Sequence, residues 1–173
     1  YKRQIITNLY VPDSSGSLKD VVLGFNDFNN YYENNPYFGA IIGRYGNRIS
    51  NGTFLLDGVR YELEQNNGTN SLHGGLVGFD KVFWKFVEEK SNNQSLYFEY
   101  FSKDMEEGFP GNLVVGVEYI LNDSNDLKIK YTASTDKKTI INLTQHSYFN
   151  LSGESSGAVS YTHLTLPTTH CGW

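Results

Sequence analysis

Between Leu127 and Ala133 the chain reads Leu-Lys-Ile-Lys-Tyr-Thr-Ala, with apolar and polar side chains alternating throughout. Successive side chains of a strand point to opposite faces, so this run forms a strand with one buried and one wet face. The preceding segment Asn122-Asp123-Ser124-Asn125-Asp126 carries turn chemistry at every position, and the run Leu113 to Leu121 before it is the partner arm of a hairpin. A second hairpin is encoded in Phe54 to Leu63, where Asp57-Gly58 separates two apolar arms and Val59, Tyr61 and Leu63 share a face. Further strands are expected at Val82 to Val87, Leu96 to Phe101 and Thr139 to Thr144. Leu18 to Val22 and Asp80 to Lys85 are the two places where a helix can be tried, and neither holds a 3.6-residue period long enough to nucleate one. Strands this frequent and turns this short predict an all-β fold, closed as a sandwich of antiparallel sheets.

Composition restricts what such a sandwich does. The chain has 173 residues, 39% of them hydrophobic, enough for the core of one domain. Its net charge of -5 and the lack of a Lys/Arg run argue against a nucleic-acid partner, because phosphate binding needs a basic face. Nothing approaches the roughly 20 apolar residues of a membrane-spanning helix. The one cysteine, Cys171, supplies no disulfide framework and favours a reducing compartment, so a cytoplasmic location is expected. Asn-x-Ser/Thr triplets at Asn51, Asn67, Asn93, Asn122, Asn142 and Asn150 are read as the coincidences of an Asn-rich chain. The chain starts at Tyr1, which leaves a preceding leader open.

After Gly153 the strand rhythm stops. Residues 154–173, with Leu164-Thr165-Leu166-Pro167-Thr168-Thr169, are read as a non-native tail, which removes His163, His170 and Cys171 from any site argument. The domain is therefore drawn over residues 1–153.

Two histidines stand in settings suited to a ligand. His73 lies in Leu72-His73-Gly74-Gly75, where glycines leave the imidazole uncovered by neighbouring side chains. His146 opens His146-Ser147-Tyr148-Phe149-Asn150, a group of hydroxyl, aromatic and amide side chains that can grip a polyol. Imidazole changes charge near pH 6.5, so both proton states are accessible near neutrality. The bland alternatives are a loop histidine and a core histidine bonded to a carbonyl. No third His, Cys or carboxylate stands at ligand spacing, so no metal is expected. Gly43-Arg44-Tyr45-Gly46-Asn47-Arg48 lacks the ending of a phosphate loop, and its simplest reading is a β-turn with two surface arginines. The pair Asn47-Arg48 can nevertheless fork onto adjacent sugar hydroxyls. Gly108-Phe109-Pro110-Gly111, after Glu106 and Glu107, reads as a turn.

Taken in order, Asp20 to Phe25, Phe38 to Ile49, Asn70 to Gly75, Gly78 to Trp84, Gly108 to Gly111 and His146 to Leu151 resemble the aldose 1-epimerase (galactose mutarotase) family over roughly residues 1–153. The resemblance implies a large antiparallel β-sandwich and interconversion of the α and β anomers of free aldohexoses such as galactose and glucose, without cofactor or metal. It implies His146 as general acid at the ring oxygen, His73 as a second donor near it, Asn47 and Arg48 on sugar hydroxyls, and Ser147 and Tyr148 lining the pocket. It also implies a glutamate base from a C-terminal region with no counterpart here, so the chain is expected to be an incomplete, inactive copy, sparingly soluble because strand edges are left unpaired. A monomer or weak dimer is expected at full length. The alternatives are a non-catalytic carbohydrate-binding sandwich and a hexose-6-phosphate 1-epimerase; the second needs more cationic groups than Arg44 and Arg48.

Overall fold

The computed structural model describes residues 4–33 and 36–157. Twelve strands follow one another: β1 (Tyr10–Pro12), β2 (Leu18–Asp20), β3 (Ile41–Ile42), β4 (Arg48–Ile49), β5 (Thr53–Leu56), β6 (Val59–Glu62), β7 (Ser71–Leu72), β8 (Lys85–Phe86), β9 (Ser95–Ser102), β10 (Leu113–Leu121), β11 (Leu127–Thr135) and β12 (Thr144–Gln145). Short 3-10 turns punctuate them, and no α-helix occurs among the described residues.

The framework is an antiparallel sheet in the order β11-β10-β9-β8. Its centre is β10, in register with β9 through Val115 opposite Tyr100 and with β11 through Val117 opposite Tyr131. Alternation sorts its side chains as the sequence requires. Leu113, Val115 and Val117 are fully buried, and with Tyr119 they pack against Ile41, Phe79, Val82 and Trp84. Each buried side chain of this size stabilises the fold by about 1.5–3 kcal/mol. The opposite face carries ion pairs, such as Lys130 with Glu118 and Lys90 with Glu99. Gly116 lies on that face because the Tyr97 ring occupies the place a Cβ would take. Among the described residues, β11 is paired on one side only, so its outer edge stays open to a further strand.

The hairpin at Asp57-Gly58 forms as expected, with both residues at positive φ (52° and 79°) as a two-residue turn of this hand requires. Leu18–Asp20 is a strand rather than a helix. Two strand expectations shrink. In Val82 to Val87 only Lys85–Phe86 pairs, because Val82 and Trp84 turn inward to the core and the Trp84 indole donates to the Phe79 carbonyl at 3.0 Å. Thr139 to Thr144 is mostly extended chain: Asn142 donates to the Arg44 carbonyl (2.9 Å) and accepts from Gly46 (2.8 Å), and regular pairing begins only at β12 beside β3.

Arg44 is the larger correction. It is 2% exposed, not a surface residue. Its Nε donates to Ser102 Oγ at 2.9 Å, and its two terminal nitrogens reach the carbonyls of Pro110 (2.9 Å), Lys103 (2.7 Å) and Ser102 (3.2 Å). Ser102 Oγ passes the contact on by donating to Glu106 at 2.8 Å. Burial lowers the guanidinium pKa, while Glu106 and Asp104 act in the opposite sense. The chain does turn at Gly108, and the segment that follows supplies part of the acceptor shell of this buried cation through the Phe109 and Pro110 carbonyls, alongside Ser102 and Lys103.

In the described part of the segment read as a tail, residues 154–157, Glu154–Ser156 form a 3-10 turn. Residues 158–173, with His163, His170 and Cys171, lie outside the described residues.

Candidate active site

The site is assembled where short strand pairs meet the edge of the core. β4 pairs with β7, which brings Asn47, just before β4, against His73, just after β7. The two residues hold each other by paired hydrogen bonds: the His73 amide donates to the Asn47 carbonyl at 3.0 Å, and the Asn47 amide donates to His73 Nδ1 at 2.9 Å. Both sit at positive φ, His73 at 54° and Asn47 at 65°, an unusual conformation for residues other than glycine that this reciprocal bond locks. Gly74 follows because the loop runs directly over the backbone of Gly43 and Arg44, where any Cβ would collide with the Gly43 carbonyl.

His146 arrives by another route. β12 pairs with β3, and beyond it the His146 amide donates to the Ala40 carbonyl at 2.9 Å while its own carbonyl accepts from Gly39 at 3.2 Å. The two imidazoles end 5.2 Å apart between ring centroids, nearly perpendicular at 88°. They share an open cleft of about 610 Å³ lined by Gly46, Asn47, Asn142, Thr144, Gln145, Ser147 and Tyr148 as well as the two histidines and Leu143. That volume accommodates a monosaccharide.

The electrostatics separate the two rings. Partial burial, followed by the neighbouring His146, Arg48 and Lys81, lowers the His73 pKa to about 4. His73 is therefore neutral at pH 7. Since Nδ1 accepts the Asn47 amide, its one proton sits on Nε2, which makes it a fixed hydrogen-bond donor rather than an acid.

Of the residues expected at the site, His73, His146, Asn47, Ser147 and Tyr148 line the cleft together. Arg48 stands at its margin, its Nε donating to Asn67 Oδ1 at 2.9 Å and its Nη1 reaching Asn47 Oδ1 at 3.4 Å. Glu106, Glu107 and Glu118 are engaged elsewhere: Glu106 accepts from Tyr100 and Ser102, Glu107 from the Leu76 amide, and Glu118 pairs with Lys130. No carboxylate lines the cleft among the described residues, and no group of His, Cys, Asp and Glu among them is arranged to hold a metal.

The sequence reading missed three contributors. Asn66 clamps both ends of the His73 loop, donating to the carbonyls of Leu72 (2.9 Å) and Gly75 (2.7 Å) and accepting from the Leu72 amide (2.7 Å). Gln145 donates to the Gly39 carbonyl (2.7 Å) and to Ser147 Oγ (3.1 Å), which leaves the Ser147 hydroxyl proton available to a ligand. Tyr37 packs beside both imidazoles. In a chain this rich in Asn and aromatic residues, none of the three stands out by type or spacing; each is found only by the segments it bridges.

Comparison with known proteins places these features in context. A family model described as aldose 1-epimerase matches residues 5–170, which takes in most of the segment read as a tail. The chain is 49% identical to the galactose mutarotase of Bos taurus over 161 residues, covering 93% of this chain and 46% of that protein. It is 42% identical to the aldose 1-epimerase of Escherichia coli K12 over 146 residues, covering 84% of this chain and 42% of that protein. Among solved structures, the GalM/aldose epimerase homologue from C. elegans superimposes with a TM-score of 0.78 at 34% identity, covering 84% of this chain and 44% of that one. A galactose 1-epimerase from Lactobacillus acidophilus gives 0.73 at 28% identity, over 85% of this chain and 43% of that one. The chain thus spans about half the length of the relatives it matches.

Proposed function

Because the chain belongs to the aldose 1-epimerase family, we propose that the protein interconverts the α and β anomers of free aldohexoses such as galactose and glucose by acid–base ring opening. A base takes the proton of the C1 hydroxyl as an acid protonates the ring oxygen. The bond between C1 and the ring oxygen breaks, leaving the aldehyde. C1 then presents its other face, and ring closure returns both protons.

His146 is the acid at the ring oxygen. His73, neutral and carrying its proton on Nε2, donates a hydrogen bond beside it without competing for the proton. Asn47, Arg48, Ser147 and Tyr148 hold the hydroxyls. The observation that carries this reading is the pair of imidazoles 5.2 Å apart, one with its tautomer fixed by the Asn47 backbone N–H donating to His73 Nδ1, beside a cleft of monosaccharide size. The base is the part the cleft lacks, since its described lining residues include no carboxylate; the family resemblance assigns that role to a glutamate.

A phosphorylated hexose is the weaker substrate. Arg44 is committed to Ser102, Lys103 and Pro110, so Arg48 is left as the arginine at the margin of the cleft. The net charge of -5 supports neither a nucleic-acid partner nor an anionic surface, and no helix among the described residues is long and apolar enough to cross a membrane. We propose a cytoplasmic location and, at full family length, a monomer or weak dimer.

Polarimetry of freshly dissolved α-galactose tests the reading. A protein of full family length carrying this sequence accelerates the change in rotation, and His146→Ala slows it by about a hundredfold to ten-thousandfold, the range of positioned proton transfer. The 173-residue chain alone leaves the buffer rate unchanged. A His146→Ala protein that keeps its turnover and loses only affinity makes this a binding module instead.

A further inference from the structure

His73 and His146 are held in different ways. Hydrogen bonds to Asn47 fix the first. The second is fixed through its backbone, while no hydrogen bond reaches its imidazole among the described residues. Its ring orientation comes from ring packing: Tyr148 at 5.2 Å and 55°, His73 at 5.2 Å and 88°, and Tyr37 at 5.6 Å and 33°. Tyr148 lines the cleft, where a bound sugar competes for its surface, whereas Tyr37 does not line it. Tyr37 also meets His73, edge-on at 4.7 Å and 71°, so the three rings close a triangle.

The Tyr37 ring is itself anchored. Its carbonyl accepts from Ala40 at 3.1 Å, closing a turn whose Gly39 carbonyl accepts from Ile6 (2.8 Å) and Gln145 (2.7 Å). Ala40 and Gly39 are also the backbone partners of His146. One short turn therefore carries both the ring that packs on the imidazole and the main chain that holds its residue. The Lys81 ammonium stands 5.5 Å from the Tyr37 ring centroid and is paired with the buried Asp80 at 3.1 Å. Tyr37 thus gives this cation a π-surface beside the two imidazoles.

Resting on the acid role of His146 proposed above, we infer that Tyr37 is a positioning residue whose ring sets the orientation of the His146 imidazole toward the substrate. The ring does this work, and the hydroxyl does not. Misplacement of a reacting group by about 1 Å costs on the order of a hundredfold in rate, so a packing contact of this kind suffices to matter.

Nitrogen-detected imidazole spectra of the 173-residue chain test this without needing activity, with His73→Asn and His146→Asn assigning the signals. In Tyr37→Leu the His146 ring signals move to averaged, solution-like positions, while His73 keeps its Nε2–H tautomer because Asn47 still holds it. In Tyr37→Phe both rings match the unsubstituted chain. The inference is overturned by an unchanged His146 ring in Tyr37→Leu, by a displaced one in Tyr37→Phe, or by loss of the β9–β11 amide pattern in Tyr37→Leu, which makes the ring a support of the fold. Adding galactose to the unsubstituted chain separates the two ideas: absence of any response there defeats the sugar site, whereas the ring signals judge Tyr37 independently.

Discussion

Replacing Arg44 by Met removes a guanidinium and keeps a long apolar side chain in its place. Four acceptors within 3.2 Å lose their donor: Ser102 Oγ and the carbonyls of Ser102, Lys103 and Pro110. A buried polar group left unpaired costs about 1–3 kcal/mol. Part of that is recovered, because a charge no longer has to be kept out of water. The Ser102 hydroxyl also retains Glu106 as a partner. Breaking one side of a buried charged network costs on balance about 3–5 kcal/mol. A domain with a typical stability of about 5–15 kcal/mol does not absorb that easily. Urea titration followed by far-ultraviolet circular dichroism should show a clearly lower midpoint with a similar slope. The loss should also reach the site, because the His73 loop lies on the Gly43–Arg44 backbone. A variant within about 1 kcal/mol of the parent refutes the reasoning, since Arg44 is then carried by the fold rather than holding the Phe109–Pro110 loop to it.

Other consequences can be measured on the same chain. The depressed His73 pKa of about 4 means that between the ordinary imidazole value of 6.5 and 4 the unfolded chain takes up a proton that the folded one refuses, so stability present above 6.5 falls across this window and levels below it. After allowance for solvent screening of a half-exposed ring the fall is about 1–2 kcal/mol, and His73→Asn should flatten that part of a melting-temperature profile. A parent profile flat from pH 7 to 4 contradicts it. Asp13, held low by the Ser15 hydroxyl, and Asp104, held low by Lys137, act only below this window. Asn66→Ala removes three hydrogen bonds from the His73 loop and should cost about 1–3 kcal/mol, with faster amide exchange at Leu72 and Gly75; unchanged exchange there dismisses Asn66 as the clamp.

Strand identity was legible where one signal acted alone. Leu127 to Ala133 alternates and Asp57-Gly58 demands a tight turn, so both appear as read. Legibility failed where tertiary contacts override local pattern. Trp84 has the composition of a strand residue, yet its indole finds the Phe79 carbonyl and leaves the ladder. Arg44 lies in a Gly-rich, turn-like hexapeptide, and nothing local reveals that acceptors 58 to 66 residues away converge on it. The site divides in the same way. His73 and His146 were visible because imidazole is rare in this chain and each stands in a distinctive setting. Tyr37 and Asn66 were not, since each acts by touching segments that only folding brings together.

The central claim is that His73 and His146 face one monosaccharide. Galactose in large excess, added to the isotope-labelled chain, should shift the ring signals of His73 and His146 and the amides of Asn47, Arg48, Ser147 and Tyr148, while those of β9–β11 stay in place. Shifts confined to other surfaces, or none at all while the chain remains folded, contradict it.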